Sequence, residues 1–237
     1  FYAEKGGQMG DTGFFKVGEE SIPVTDTRQQ EGVVFHMVDL KHADKLKQGA
    51  FVDAVVDRER RLQLERHHTA THLLHWALRE VLGPDVHQQG SLVAPDRLRF
   101  DFTHFQGVSP AELLSIERLV NERILENGGV SYFEIPYKEK PDSILAFFGD
   151  KYGDKVRVVK IGGEGSGELS DPVFDGYSME LCGGTHVRTS AEIGAFKILS
   201  ESSTGASTRR IEAVTSGAAG AYLFEKEREA ARLVEEL

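Results

Sequence analysis

The chain has one cysteine, Cys182, one tryptophan, Trp76, and three methionines among its 237 residues. A single cysteine excludes an internal disulfide, and with it the disulfide-stapled frameworks of small secreted proteins. It fits a reducing cytoplasm, where Cys182 can be a metal ligand, a nucleophile or a buried apolar residue. No apolar run approaches the roughly 18 residues needed to span a bilayer, and no signal-peptide pattern is present. No membrane partner is therefore expected. An excess of positive charge is missing too. Lys and Arg total 28 against 38 Asp and Glu, a formal net charge of −10. That average argues against an extended nucleic-acid-binding face. It leaves only local basic groups: Arg97 with Arg99, Lys151, Lys155 with Arg157, and Arg209 with Arg210. Any nucleic acid is expected to bind this piece weakly by itself. No internal repeat is evident.

What is present suffices for a real core. Hydrophobic residues make up 40% of the chain, enough for one large domain or two small ones. The sequence starts at Phe1 without an initiator methionine and ends inside a charged helical pattern. Both ends read as cut, so a piece of a longer protein is expected. Residues 1–62 read as β-rich, with strands expected at 33–40 and 51–57 between glycine and polar turns. The pattern then changes. Residues 67–82 carry Ala70, Leu73, Leu74, Ala77, Leu78 and Val81 at helical spacing, stopped by Gly83-Pro84. Short strands are expected at 91–94 and 98–103. Ser109-Pro110 starts a second helix, with serine as N-cap and proline at N1, ending at Gly128-Gly129. A strand at 130–138, a short helix at 140–148 and a strand at 155–161 follow. Residues 162–176 read as a loop. Strands at 178–182, 195–200 and 208–215 complete the core, and a helix from about 218 runs to the end. The fold class expected is α+β.

Two segments carry the chemistry. In His68-x-x-x-His72 the imidazoles fall one above the other on a helix face, where two can hold one ion. The apolar stripe centres on Ala70, Leu73, Ala77 and Val81, so the pair points to roughly the opposite, polar side. A solvated histidine pair is the plain alternative, since the glutamate of the zincin pattern is missing. The second segment is Cys182-Gly183-Gly184-Thr185-His186, after an apparent strand. Two glycines allow a sharp turn that aims thiolate and imidazole at one atom. A nucleophile with its base, or a buried cysteine in a structural turn, fits as well. Together the segments supply three histidines and a cysteine, a zinc set by softness and number. Their separation along the chain carries no information on whether they meet.

These two segments together resemble the editing domain of alanyl-tRNA synthetases and of the related free-standing alanyl editing proteins. The resemblance covers essentially the whole chain. It includes the glycine-rich opening from Phe1 to Gly13, the run Gln88-Gln89-Gly90-Ser91-Leu92-Val93, then Leu98-Arg99-Phe100-Asp101-Phe102, and finally Arg209-Arg210-Ile211-Glu212-Ala213-Val214. The threonyl-type editing domain is similar but usually reads Cys-x-Gly-Pro-His, which together with the opening glycine motif argues against that specificity. The resemblance implies a β-barrel-like N-terminal subdomain (1–62) packed on an α/β zinc-binding editing core (63–216), with a C-terminal helix (217–237) leading out. It implies Zn²⁺ on His68, His72, Cys182 and His186. It implies hydrolysis of serine, and of glycine, esterified to tRNA(Ala), with the rest of a parent synthetase as a further partner. The class II aminoacylation domain and the C-terminal tRNA-binding tail are expected to lie outside this chain. The 162–176 loop is longer than in many family members.

A synthetase pocket discriminates poorly against a ligand that is smaller or only adds a hydroxyl, by about 10–200-fold. A hydrolytic site that recognises the serine hydroxyl supplies the rest. Gln88, which aligns with a family glutamine near the substrate, and Thr69, Thr71 and Thr185 are the polar candidates for the catalytic pocket. Arg99, Arg209 and Arg210 are the candidates for tRNA contact, Arg209 and Arg210 as a charge fork on phosphate. His67 and His75 are expected at the surface or beside the ligands, and Trp76 in packing. Two mechanisms stay open: a metal-activated water, which needs an open coordination position, or a closed metal that only orders the pocket. The competing readings are a non-catalytic zinc-stabilised tRNA-binding module, a threonyl-type editing domain, and a cysteine hydrolase using Cys182 and His186.

Overall fold

The computed structural model describes residues 1–146, 152–163 and 173–235. The element order is β1 (Gly13–Val17), β2 (Glu20–Val24), β3 (Asp26–Gln30), β4 (Val33–Met37), β5 (Asp53–Val56), α1 (Arg58–Leu82), β6 (Gln88–Val93), β7 (Leu98–Thr103), α2 (Pro110–Leu125), β8 (Val130–Pro136), β9 (Lys155–Ile161), β10 (Ser178–Leu181), β11 (Phe196–Gly205), β12 (Thr208–Thr215) and α3 (Ser216–Glu235). The fold is α+β, as the sequence pattern predicts. All four sheets pair their named strands antiparallel: β2-β1-β5, β3-β4, β11-β12-β7-β6 and β10-β9-β8.

The expected N-terminal barrel is not closed among the described residues. β1 is flanked by β2 and β5, and β3 pairs with β4 as a two-stranded ribbon, bridged on its other edge by Glu4 at Arg28. The β3–β4 turn has both central residues, Glu31 and Gly32, at positive φ (50° and 82°). That is the tight geometry that joins two strands in a right-handed-twisted hairpin. The first twelve residues run between these sheets and the edge of β6. Glu4 N–H donates to Thr27 O (2.9 Å), Met9 N–H to Val93 O (3.0 Å), and Val93 N–H to Gly7 O (2.8 Å). An inner ion pair ties this segment to α1: fully buried Asp11 accepts from Arg61 Nε (2.8 Å) and from the backbone N–H of Tyr2 (2.5 Å).

α1 is longer than its apolar stripe predicts. It starts at Arg58, capped by Asp57, whose carboxylate accepts from Arg60 N–H (3.1 Å). Its first two turns are mostly charged, so hydrophobic periodicity does not register them, whereas the N-cap chemistry does. α2 begins with a capping box, Ser109 and Glu112 exchanging side-chain-to-backbone bonds, with Pro110 in the first turn. The strand expected at 33–40 ends at Met37 and gives way to a 3₁₀ turn at Leu40–His42. The helix expected at 140–148 is not formed over 140–146. Instead Ile144 N–H closes a turn on Pro141 O, and Leu145 exchanges backbone bonds with Met179 and Leu181, which is strand-edge behaviour. Residues 147 and 148 of that helix, Lys151 and the greater part of the 162–176 loop lie outside the described residues.

The main core joins α1, α2 and the four-stranded sheet through Leu73, Leu74, Leu78, Phe100, Phe102, Ile116, Val120 and Ile211, with Val159 and Ile161 from β9. A smaller cluster of Phe133, Ile135, Ile144, Val156, Val158, Met179 and Leu181 covers the other face of the β8–β10 sheet. β10 thereby lies against α1, and the turn after β10 meets the middle of that helix. No described helix is long and apolar enough to cross a membrane.

Candidate metal centre

The middle of α1 is enclosed on every side. His67, His68, Thr69, Ala70, Thr71, His72, Leu73, Leu74 and His75 are all buried. The sequence pattern puts His68 and His72 on a polar face. They do point away from the apolar stripe, but into protein rather than into water. The turn after β10 and the opening segment cover that side.

His68 and His72 lie one helical turn apart with rings nearly parallel, 8° between planes and 5.3 Å between centroids. His186 comes in from the turn, its ring centroid 4.4 Å from His68 and 5.1 Å from His72. Cys182 Sγ is 3.3 Å from His68 Nε2 and 3.4 Å from His186 Nε2. One ligand atom from each of His68, His72, Cys182 and His186 lies within 4.8 Å of every other.

The second nitrogen of each imidazole is held. His68 Nδ1–H donates to Gln8 Oε1 (2.6 Å), and His72 Nδ1–H to Glu180 Oε2 (2.7 Å). Thr69 gives its only hydroxyl proton to Glu65 O (2.9 Å), so it must accept from His186 Nδ1–H at 3.2 Å. All three rings therefore donate through Nδ1 and turn Nε2 inward. His72 Nε2 is buried and has no hydrogen-bond partner.

A tetrahedral zinc with bonds of about 2.0–2.3 Å separates its donors by roughly 3.3–3.6 Å, and the two sulfur–nitrogen distances match. Three imidazoles, one thiolate, anchored outer nitrogens and an orphaned inner one fit the ion.

The turn is shaped for this approach. A Cβ on Gly184 would sit 2.0 Å from His68 Cε1 and 2.8 Å from Gln8 Oε1, whereas one on Gly183 meets nothing. Only Gly184 is needed for close contact. Arg157 Nη1 donates to Cys182 O (3.2 Å) and Gly184 O (2.7 Å), pinning the turn to β9. This local cation is thereby committed to the loop. Gly184 N–H also donates to Cys182 Sγ (3.4 Å). Burial would raise the Cys182 thiol, but the His68 and His186 imidazoles outweigh it and pull the group well below its ordinary value. Burial, reinforced by His68 beside it, pushes His186 down to about 3. Burial opposes charge on His72, but Glu180 and Cys182 outweigh it and push that imidazole up to about 10. Thiolate and neutral imidazole are the forms that bind a metal, so binding displaces a proton from His72.

The other candidates are placed as follows. Thr185 frames Gln8: its N–H donates to Gln8 Oε1 (2.9 Å) and its hydroxyl accepts from Gln8 Nε2 (2.9 Å). Thr69 orients His186, and its hydroxyl also accepts from Val187 N–H (3.3 Å). Thr71 is buried with its hydroxyl on His67 O (2.8 Å). Gln88 is half-buried at the start of β6, and its amide donates to Ser91 Oγ (3.2 Å). That serine packs against Gly7, next to Gln8.

The arginines do not act together. β12 residues alternate sides, so Arg210 faces outward with Arg99, on either side of Asp101, while Arg209 turns the other way. Arg210 makes a two-pronged bond to Asp101 (2.6 and 2.7 Å), and Arg209 one to Glu201 (2.5 and 2.7 Å). In this arrangement the two guanidinium groups do not form the expected fork.

Sequence reasoning gives no place at the site to Gln8 or Glu180, whereas His75 stands in one of its two expected places, beside the ligands. His75 Nδ1–H donates to Glu180 Oε1 (2.8 Å), and both residues are buried. A lone carboxylate in the strand Ser178–Leu181, two residues before a candidate ligand, was the available signal. His67, expected at the surface or beside the ligands, is buried with its Nδ1 on Ala94 O (2.8 Å). Trp76 packs, as expected, against the main core.

Residues 156–212 match the family described as the threonyl and alanyl tRNA synthetase second additional domain. Residues 1–60 match the class II (A) tRNA synthetases. An alanine–tRNA ligase of Chlorobaculum tepidum is 47% identical over 243 residues, covering 97% of this chain and 26% of the relative. Those of Methylacidiphilum infernorum and Geobacillus kaustophilus are 49% and 48% identical, covering 94% and 95% of this chain but 23% and 24% of the relatives. The chain spans about a quarter of the length of the curated relatives it matches.

Proposed function

We propose that this chain, which belongs to the alanyl-tRNA synthetase family, hydrolyses the ester that joins serine, or glycine, to tRNA(Ala). In this reading zinc sits on His68, His72, Cys182 and His186, the work is done in the cytoplasm, and the parent synthetase and mischarged tRNA(Ala) are the partners. Residues 1–62 serve as the β-rich subdomain, 63–216 as the editing core and 217–237 as the helix leading out. The observation that carries the reading is the convergence of four soft donors, each imidazole anchored through its outer nitrogen, in a turn that only a glycine at 184 permits.

Bound zinc would supply fixed positive charge and Lewis acidity at the centre of this pocket. Four protein donors facing one point leave no donor spare, which favours a closed ion that orders the pocket over one that carries the attacking water. The chain's own residues then set the choice of the serine ester over the alanine ester. Gln88 has both a donor and an acceptor for the serine hydroxyl. Alanine offers it neither, so its ester is held less well, and a polar pocket left unpaired discriminates more strongly than an apolar one. Thr69 and Thr185 position His186 and Gln8 rather than substrate. Water enters at the ester carbonyl, the carbon–oxygen bond to the ribose breaks, and the ribose oxygen regains a proton.

A purely structural zinc in a tRNA-docking module is the second reading, favoured by the same four-donor closure. The two separate in one experiment. Ser-tRNA(Ala) and Ala-tRNA(Ala) are offered to the chain at high concentration beside a folded His72→Ala control. Faster clearance of the serine ester, lost in the control, supports the editing enzyme. Zinc bound without clearance of either ester supports the docking module.

A further inference from the structure

The buried carboxylate two residues before Cys182 has a role that the four donors do not describe. Glu180 is 2% exposed and lies in a strand buried along its whole length. Each of its two oxygens accepts an imidazole proton, one from His72 Nδ1–H (2.7 Å) and one from His75 Nδ1–H (2.8 Å). These residues stand three apart on α1, so one carboxylate braces two positions of the same helix turn. A carboxylate placed here without need would be costly, since burying an uncompensated charge is among the largest penalties in folding.

Charge explains the placement. Three neutral imidazoles and one thiolate leave a divalent ion with one uncompensated positive charge in a buried pocket. Glu180, the carboxylate bonded directly to a ligand, cancels it. Arg157, the neighbouring cation, is only half-buried, is bonded to loop carbonyls and is stacked over Tyr132 at 4.2 Å. It adds positive charge rather than relieving it.

We infer that Glu180 is the positioning residue that sets the metal affinity of this site, by neutralising the loaded pocket and by holding His72 with its Nε2 turned to the ion. The inference rests on the zinc reading above. It extends the donor set to an outer carboxylate on His72, with Gln8 as the uncharged counterpart on His68 and Thr69 on His186. Of the three outer partners only Glu180 is ionic, so its loss should cost the most.

Glutamine at 180 keeps the shape and can still accept one Nδ1–H, and His75 can change tautomer to meet the amide. Glu180→Gln therefore removes charge with little change in packing. Glu180→Asp keeps the charge and shortens the reach. The readout is zinc affinity, by competition with a chromophoric chelator, alongside the cobalt-thiolate absorption band and the melting temperature of the metal-free chain. Glu180→Gln is expected to weaken zinc binding by roughly 10–100-fold, with the cobalt-thiolate band retained at saturation. Glu180→Asp is expected to lose less. Should Glu180→Gln fail to fold, Glu180→Asp carries the test, with an expected loss below about tenfold. Zinc binding by Glu180→Gln equal to the parent's, or a greater loss in Glu180→Asp than in Glu180→Gln, overturns the inference while leaving the zinc site standing. A parent chain that takes up no zinc overturns the zinc reading itself, and this inference with it.

Discussion

Two residue pairs attract attention in this sequence, and the fold treats them oppositely. His68 and His72 are four apart on a helix, and their rings stack at 5.3 Å to face one point. Arg209 and Arg210 are adjacent on a strand, and their guanidinium groups leave on opposite sides of the sheet, each to its own carboxylate. Proximity in sequence is a poor guide to cooperation. The repeat of the element decides: about 3.6 residues on a helix and two on a strand. Burial adds the second contrast. The histidines sit in a pocket with every outer nitrogen held, while the Arg210 side chain keeps 32% of its surface in water.

The largest effect is expected from removing a converging donor. His72→Ala or Cys182→Ala should abolish stoichiometric zinc, read by elemental analysis, and with it hydrolysis of the serine ester. Full zinc in either variant would mean that the pair does not cooperate. Next comes the ion pair that anchors the opening segment carrying Gln8. Asp11→Ala leaves Arg61 without its buried partner and should cost about 3–5 kcal/mol in denaturant unfolding. A loss below about 1 kcal/mol would show that the opening segment is not held by this pair.

Gly184→Ala drives a methyl group into the His68 ring. An overpacking cost of about 1–3 kcal/mol is expected, together with weaker zinc binding, and Gly183→Ala should do neither. Equal effects at the two glycines would remove the geometric argument for the turn. Acid separates the buried pair from the exposed one. Burial opposes ionisation of Glu180, but His75 and His72 outweigh it and hold the carboxyl down at about 2, below its ordinary 4.5. Its contribution in the metal-free chain is therefore complete above pH 4.5 and lost as pH falls from there through about 2. The stability curve of Glu180→Gln should be flatter across that window.

The smallest effects are expected at the arginines. Arg210→Ala should leave the denaturant midpoint little changed, as for exposed ion pairs. If tRNA meets the outer sheet face, Arg99→Ala and Arg210→Ala reduce the salt dependence of binding and Arg209→Ala does not. Equal losses at 209 and 210 would restore the fork.

Much of this was legible before any coordinates. Ser109-Pro110 marks the α2 start, Gly83-Pro84 the α1 end, and the donor types at 68, 72, 182 and 186 a zinc set. What escaped has identifiable causes. The first four residues of α1, Arg58 to Arg61, are all charged, so no apolar stripe marks the start that Asp57 caps. Residues 140–146 read as helical, but the backbone of Leu145 is taken by Met179 and Leu181. The barrel expectation failed because β3 and β4 pair with each other and leave the β1 sheet open. Glu180 and Gln8 stayed hidden because a carboxylate or an amide has no fixed spacing to the histidine it orients.

The sequence by itself determined the local geometry: which residues cap, which turn, and which two imidazoles share a helix face. Those follow from backbone hydrogen-bond periods and steric limits that act within a few residues. Only the tertiary structure decided that the turn after β10 meets the middle of α1, that the opening segment brings Gln8 to His68, and that the polar side of α1 is buried. Such meetings depend on strand register, on Ser178 facing Ile161 and Leu181 facing Val158, and on long-range burial, which no short-range pattern encodes.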